Sequence, residues 1–69
     1  MTQQQRILQY MRDFGAISPM GAFRDLGITK LATRISEMTR NGQAVTRQME
    51  TSQNRYGDTV RYMRYRLAE

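Results

Sequence analysis

The chain of 69 residues contains no cysteine, no histidine and no tryptophan. Without cysteine it can form no disulfide, and without histidine it lacks the commonest metal ligand and general base. Its uninterrupted apolar runs reach no more than three residues, whereas a membrane-spanning helix needs about 20. These absences exclude a disulfide scaffold, most zinc sites and a membrane span, and they favour a cytoplasmic protein without a metal or cofactor.

Acidic residues are also scarce. Six Asp and Glu oppose eleven Lys and Arg, of which ten are arginine, and the net charge is +5. Arginine is well suited to bidentate contacts with phosphate and guanine. The carboxylates stand singly, without histidine, cysteine or a glycine-rich phosphate loop, so we expect no catalysis. The excess of positive charge favours a polyanionic partner such as nucleic acid, and the alternative is a small soluble protein that is simply basic.

The length allows one domain over residues 1–69, and its first predicted helix covers residues 3–14. The apolar residues Ile7, Leu8, Met11 and Phe14 recur there at the spacing of an amphipathic helix. Thr2 with Gln5 forms a capping-box pattern, and Gly15 is placed to end the helix. Residues 16–18 are long enough only for a bridge-like strand.

Two further helices are predicted on either side of Gly27. Ser18 followed by Pro19 is typical of a helix start, so the second helix covers 19–26, with Ala22, Phe23 and Leu26 expected to point inward. Gly27 ends that helix, and Thr29 is expected to cap a third one that stops at Asn41-Gly42. The expected inner residues of the third helix are Leu31, Ala32, Ile35 and Met38.

From residue 43 the sequence no longer has helical spacing, and side chains of different character alternate from one residue to the next. Residues 44–51 alternate, residues 52–58 contain the turn formers Asn and Gly, and residues 59–67 are rich in Val, Tyr and Thr. This pattern predicts a hairpin over about 44–67. A two-stranded hairpin is marginal alone, so it must pack on the helices. Met63, Tyr65 and Leu67 form the better core face of the second strand.

Three helices with a short strand after the first, followed by a hairpin, follow the order of a winged helix-turn-helix domain, an α+β fold. The stretch ISPMGAFRDLGITKLATRISEMTRNG resembles a small winged helix-turn-helix family of bacteriophage and prophage proteins, and NRYGDTVRYMRYRL is similar to its wing and last strand. The matching positions are Ile17, Pro19, Ala22, Arg24, Leu26, Gly27, Ile28, Leu31, Ala32, Arg34, Ile35 and Gly42. Gly21 departs from the pattern, because the family usually carries glutamate there. The resemblance covers nearly the whole chain and implies a helix-turn-helix at about 19–41.

The third helix is the expected recognition helix. With Leu31, Ile35 and Met38 inward, the opposite face presents Lys30, Thr33, Arg34, Glu37 and Arg40. The side chains of Arg34, Thr33 and Glu37 suit contacts with guanine, the thymine methyl group and cytosine respectively. Thr29 and Lys30 precede the helix, where free amides favour a phosphate. The alternative is a solvated helix face on which Arg34 and Glu37 pair with each other.

The hairpin adds positive charge, with five arginines between residues 47 and 66 against Glu50 and Asp58. Its turn offers Asn54, Arg55 and Tyr56 to the DNA backbone or minor groove. Arg64 and Arg66 share one face of the last strand. The expected DNA-binding residues are therefore Thr29, Lys30, Thr33, Arg34, Glu37, Arg40, Asn54, Arg55, Tyr56, Arg64 and Arg66.

Two functions are compatible with these features. The first is a double-stranded DNA-binding protein of phage or prophage type that regulates transcription or assists recombination. One such unit covers only about 600–1,000 Å² of DNA, so useful specificity needs a homodimer or clustered sites. The alternative is a winged helix that docks on a host or phage protein and modulates it. Steep salt dependence of binding to arbitrary duplex DNA separates the two.

Overall fold

The computed structural model describes residues 1–68. Three helices precede a hairpin, in the order α1 (Gln3–Phe14), α2 (Pro19–Leu26), α3 (Leu31–Arg40), β1 (Val45–Gln53) and β2 (Thr59–Leu67). These bounds confirm the predicted α+β arrangement of helices and hairpin. Within residues 1–68, no helix is both long and apolar enough to cross a bilayer.

The first two helices begin at side-chain caps. Thr2 Oγ1 accepts a hydrogen bond from the Gln5 amide at 3.1 Å, while Gln5 Oε1 accepts one from the Thr2 amide at 2.8 Å. This reciprocal pair is the predicted capping box. Ser18 Oγ accepts from the amide of Gly21 at 3.1 Å. Gly15 follows α1 with φ +86°, a conformation that favours glycine and ends the helix.

The start of α3 differs from the prediction, because its N-cap is Lys30 rather than Thr29 and makes no side-chain capping bond. Gly27 has φ +69°, and the next residue, Ile28, is buried in the turn. Thr29 lies in a bend, and Lys30, with φ −115° and ψ 53°, precedes the first helical residue, Leu31.

The hydrophobic core joins all three helices to the hairpin. It consists of Ile7, Met11, Ile17, Ala22, Ile28, Leu31, Ile35, Met38 and Tyr65. Three predicted inner residues are wrong: Phe14 is 71% exposed, Phe23 is 59% exposed, and Ala32 is also exposed. Phe14 is the last residue of α1, and α2 turns its small residues Gly21 and Ala22 inward, which directs Phe23 outward. Ala32 lies about 100° around the helix from Leu31, beyond the edge of the narrow buried stripe.

The strands form an antiparallel pair whose register runs from Val45 opposite Leu67 to Gln53 opposite Thr59. The segment between α1 and α2 adds the predicted bridge, since the amides of Ile17 and Tyr65 each donate to the other's carbonyl at 2.9 Å. Tyr65 is buried at this junction, which confirms the predicted core face. The bridge fixes the base of the hairpin against the helices.

Candidate nucleic-acid interface

The outward face of α3 is open. Thr33 and Arg40 are exposed, as is Ser36, which lies between them on the same side of the helix. At about 100° per residue, all three point away from the buried stripe of α3. Sequence reasoning omitted Ser36, although its position three residues after Thr33 and four before Arg40 places it on the same face.

Arg34 and Glu37 lie at the side of this face that borders α1. Arg34 Nη1 donates to Glu37 Oε1 at 2.6 Å, and Arg34 Nε donates to Gln3 Oε1 at 3.0 Å. Their side chains are 32% and 35% exposed. The pairing of Arg34 with Glu37, which is the alternative interpretation of this helix face, is therefore present. Arg34 also links α3 to the first residue of α1.

The N-terminus of α3 carries exposed polar residues and free amides. The first amide to bond within the helix is that of Arg34, which donates to the Lys30 carbonyl at 3.2 Å. The amides of the three preceding residues have no acceptor within the helix, as at any helix start. Thr29 and Lys30 are both exposed beside them, and the combined positive potential there suits a phosphate.

The hairpin turn is held together by Asn54. Asn54 Oδ1 accepts from the amides of Tyr56 and Asp58 at 2.9 and 3.0 Å, and the Asn54 amide donates to the Asp58 carbonyl at 2.9 Å. These bonds leave only the Nδ2 group of Asn54 for an external partner. Arg55 is exposed and Tyr56 is 85% exposed, so the turn presents a guanidinium and a phenol to solvent.

The two arginines predicted on β2 have different surroundings. Arg64 is half-buried, and its Nε lies 3.1 Å from Glu50 Oε2. The two groups are not aligned for a hydrogen bond, so this contact is an ion pair. The guanidinium of Arg64 is thus held against β1, whereas Arg66, two residues further along, is exposed.

Arg47 and Arg61 are absent from the predicted candidates, although both lie in the arginine-rich hairpin. Both are exposed, and neither forms an ion pair with residues 1–68. Arg47 stands opposite Tyr65, and Arg61 stands opposite Thr51, closer to the turn. The net positive charge of the hairpin sequence is the feature that could have identified them.

Residues 2–69 match the family model described as a winged helix-turn-helix domain. The chain belongs to that family. Comparison with curated proteins and with solved structures gives no significant match. Winged helix-turn-helix domains are typically non-enzymatic modules that bind DNA, so membership indicates DNA binding for this chain.

In this winged helix-turn-helix domain, α2 and α3 form the helix-turn-helix and the hairpin forms the wing. The candidates Thr29, Lys30, Thr33 and Arg40 lie together at the N-terminus and on the outward face of α3. A second group at the hairpin turn comprises Asn54, Arg55 and Tyr56. Arg34, Glu37 and Arg64 belong to neither group, because ion pairs hold them within the domain.

Proposed function

We propose that this winged helix-turn-helix domain binds double-stranded DNA, with α3 in the major groove and the wing on the backbone or in the minor groove. One observation carries the proposal. The side chains of Thr33, Ser36 and Arg40 are exposed and form no hydrogen bond or ion pair with residues 1–68. A helix face with free donors and a free guanidinium can contact base edges without first breaking intramolecular bonds.

Arg40 is the best candidate for guanine, because its guanidinium is free to form a bidentate contact with O6 and N7. Thr33 and Ser36 can hydrogen-bond to bases, and the Thr33 methyl group can contact thymine. Arg34 donates through Nε and Nη1, and Glu37 accepts through Oε1, within the domain, so these two side chains are less available to bases than Arg40. We therefore place them at the edge of the base-reading surface rather than at its centre.

The wing supplies contacts that do not depend on base sequence. Arg55 and Tyr56 at the turn, together with exposed Arg66, suit phosphate oxygens or the minor groove. Thr29 and Lys30 add phosphate contacts beside the free amides at the start of α3. The interface thus combines one base-reading helix with backbone contacts on both sides.

The resemblance to small phage and prophage proteins supports a biological role as a transcriptional regulator or a recombination accessory factor in the bacterial cytoplasm. Either role requires preference for particular DNA sequences, and the free polar face of α3 is the feature that would provide it. Selection of bound duplexes from a random pool tests this role, because it should enrich one motif.

DNA binding itself is tested by titrating an arbitrary duplex at several salt concentrations. If about five phosphates are contacted, affinity should fall roughly 10²–10³-fold between 50 and 200 mM salt. Arg40→Ala should bind more weakly than the control Arg12→Ala, which loses the same charge from an exposed position on α1. Absence of binding to any duplex at 50 mM salt would overturn the proposal.

A further inference from the structure

The surface between α1 and the end of α2 exposes apolar side chains that the DNA-binding proposal does not use. The ring centroids of Tyr10 and Phe14 lie 4.7 Å apart, and Phe14 is 71% exposed. They border a groove of about 310 Å³. Its apolar lining is Met1, Tyr10, Phe14 and Leu26, and its charged lining is Arg6, Asp13 and Asp25.

Phe23 extends this surface along α2. It lies three residues before Leu26, so the two side chains are neighbours on the helix, and it is 59% exposed. We call Tyr10, Phe14, Phe23 and Leu26, with the charged residues around them, the α1–α2 surface. Clustered exposed aromatic side chains on a small domain mark an interaction site.

The charges around the α1–α2 surface indicate which partner fits it. The side chains of Arg6 and Arg24 carry two positive charges there and those of Asp13 and Asp25 two negative ones, so the side-chain charges balance in a chain of net charge +5. Two copies of this chain repel each other wherever their arginine-rich faces meet, but not here. In a two-fold interface each residue meets the same surface on the other copy, and a surface with both signs can pair with itself.

The available area is sufficient for such an interface. An aromatic side chain buries roughly 150–250 Å², and the smallest specific interfaces cover about 1,000 Å² in total, or half of that on each partner. Phe14, 71% exposed, and Phe23, 59% exposed, together offer roughly 200–300 Å². The partly buried Tyr10 and Leu26, exposed Met1 and the charged rim supply the remainder. None of the residues proposed to contact DNA lines the groove.

We propose that the α1–α2 surface joins two copies of the chain about a two-fold axis. The resulting dimer leaves α3 and the wing of each copy open. Since dimeric helix-turn-helix proteins bind two half-sites, and resting here on the proposed function, the DNA motif of the dimer should contain two inverted half-sites. The association itself does not depend on DNA binding.

The oligomeric state without DNA tests the proposal. Sedimentation of the full chain between about 1 and 300 μM should show a concentration-dependent dimer. Phe14→Glu should weaken association at least about tenfold, because in a two-fold interface the substitution introduces two like charges. The control Met49→Glu changes another exposed side chain, on β1, and should dimerise like the parent. Circular dichroism verifies that both variants fold.

Cross-linking supplies a second measurement, since the chain has no cysteine of its own. Phe14→Cys should give a covalent dimer with a short bismaleimide, and Met49→Cys should give much less. A chain that stays monomeric over the whole range, or equal effects of the two glutamate variants, would overturn the dimer. Either result leaves the salt-dependent DNA titration to be judged separately.

Discussion

Arg34 lies 2.6 Å from Glu37 across one turn of α3, and the same guanidinium donates to Gln3 at the start of α1. Because one guanidinium group donates both hydrogen bonds, Arg34 links α3 to α1. The bonds are half-exposed, so we expect them to contribute at most about 1 kcal/mol to stability. They also connect the polar side of α3 to the start of α1.

This arrangement separates the roles of Arg34 and Arg40. Arg40→Ala should change the base preferred at one position of the selected motif, because Arg40 is free to contact bases. Arg34→Ala should lower stability and overall affinity without changing the motif, and Gln3→Ala should reproduce the stability loss. Random-pool selection with each variant, together with urea denaturation, measures both effects. A base preference that relaxes in Arg34→Ala but not in Gln3→Ala would assign base reading to Arg34.

Arg55 at the wing turn should contribute affinity without specificity. Arg55→Ala is expected to weaken all duplexes by a similar factor and to reduce the salt slope by about 0.9, the value for one lost phosphate contact. The matched control is Arg12→Ala, which removes an equal charge from an exposed position on α1. Fluorescence anisotropy at four salt concentrations gives the slopes. Equal slopes for Arg55→Ala and the parent would exclude Arg55 from phosphate contact.

The local rules of helix formation were sufficient to predict most of the fold. Thr2, Ser18 and the glycines after α1 and α2 mark helix ends through bonds or backbone conformations that depend only on near neighbours. The orientation of α2 was harder to predict. Phe23 is more apolar than Gly21, yet Gly21 is buried, because the close approach of Tyr10 leaves room only for a small residue.

The candidate site was predicted less completely for a related reason. A helical wheel places Arg34 on the outward half of α3, but it contains no information about Gln3, which is 31 residues earlier and reaches Arg34 only in the folded domain. Likewise, alternation gave the face of Arg64 correctly but not its ion pair with Glu50 across the hairpin. Side-chain partners distant in sequence decided which arginines remain free.

The ionisation of Asp25 should make the stability of the domain depend on pH in the acidic range. Hydrogen bonds from Arg24, and then from Tyr10, lower the pKa of its carboxyl group. The charged form is therefore favoured in the folded state, so this stabilisation is complete above about pH 4 and is lost as the pH falls through the lowered pKa. Asp25→Asn should melt below the parent at pH 7, and the difference should close towards pH 2.

Thermal melts of the parent and Asp25→Asn between pH 2 and 7 measure this effect. Asp58→Asn in the wing turn serves as the control, because it removes the same charge without affecting Tyr10 or Arg24. A difference between parent and Asp25→Asn that stays constant over the whole range would show that the carboxylate charge is not responsible.

Gly21 should be hard to replace even by alanine. A Cβ there would lie 3.3 Å from both Ser18 Oγ and Tyr10 Oη. Neither atom can move freely, because Ser18 caps α2 and Tyr10 donates to Asp25 at 2.5 Å. Alanine gains up to about 1 kcal/mol of helix propensity over glycine, but disturbing both bonds should outweigh it and leave Gly21→Ala roughly 1 kcal/mol less stable.

A double-mutant cycle with Tyr10→Phe tests whether the Tyr10 hydroxyl is what makes Gly21→Ala destabilising. Removing the hydroxyl leaves the ring carbon Cζ 3.9 Å from the new Cβ, an ordinary contact distance. Gly21→Ala should therefore be clearly less destabilising in Tyr10→Phe than in the parent, and urea denaturation of the four proteins gives the coupling energy. Strictly additive effects would mean that the Tyr10 hydroxyl does not restrict this position, and that the burial of Gly21 has another cause.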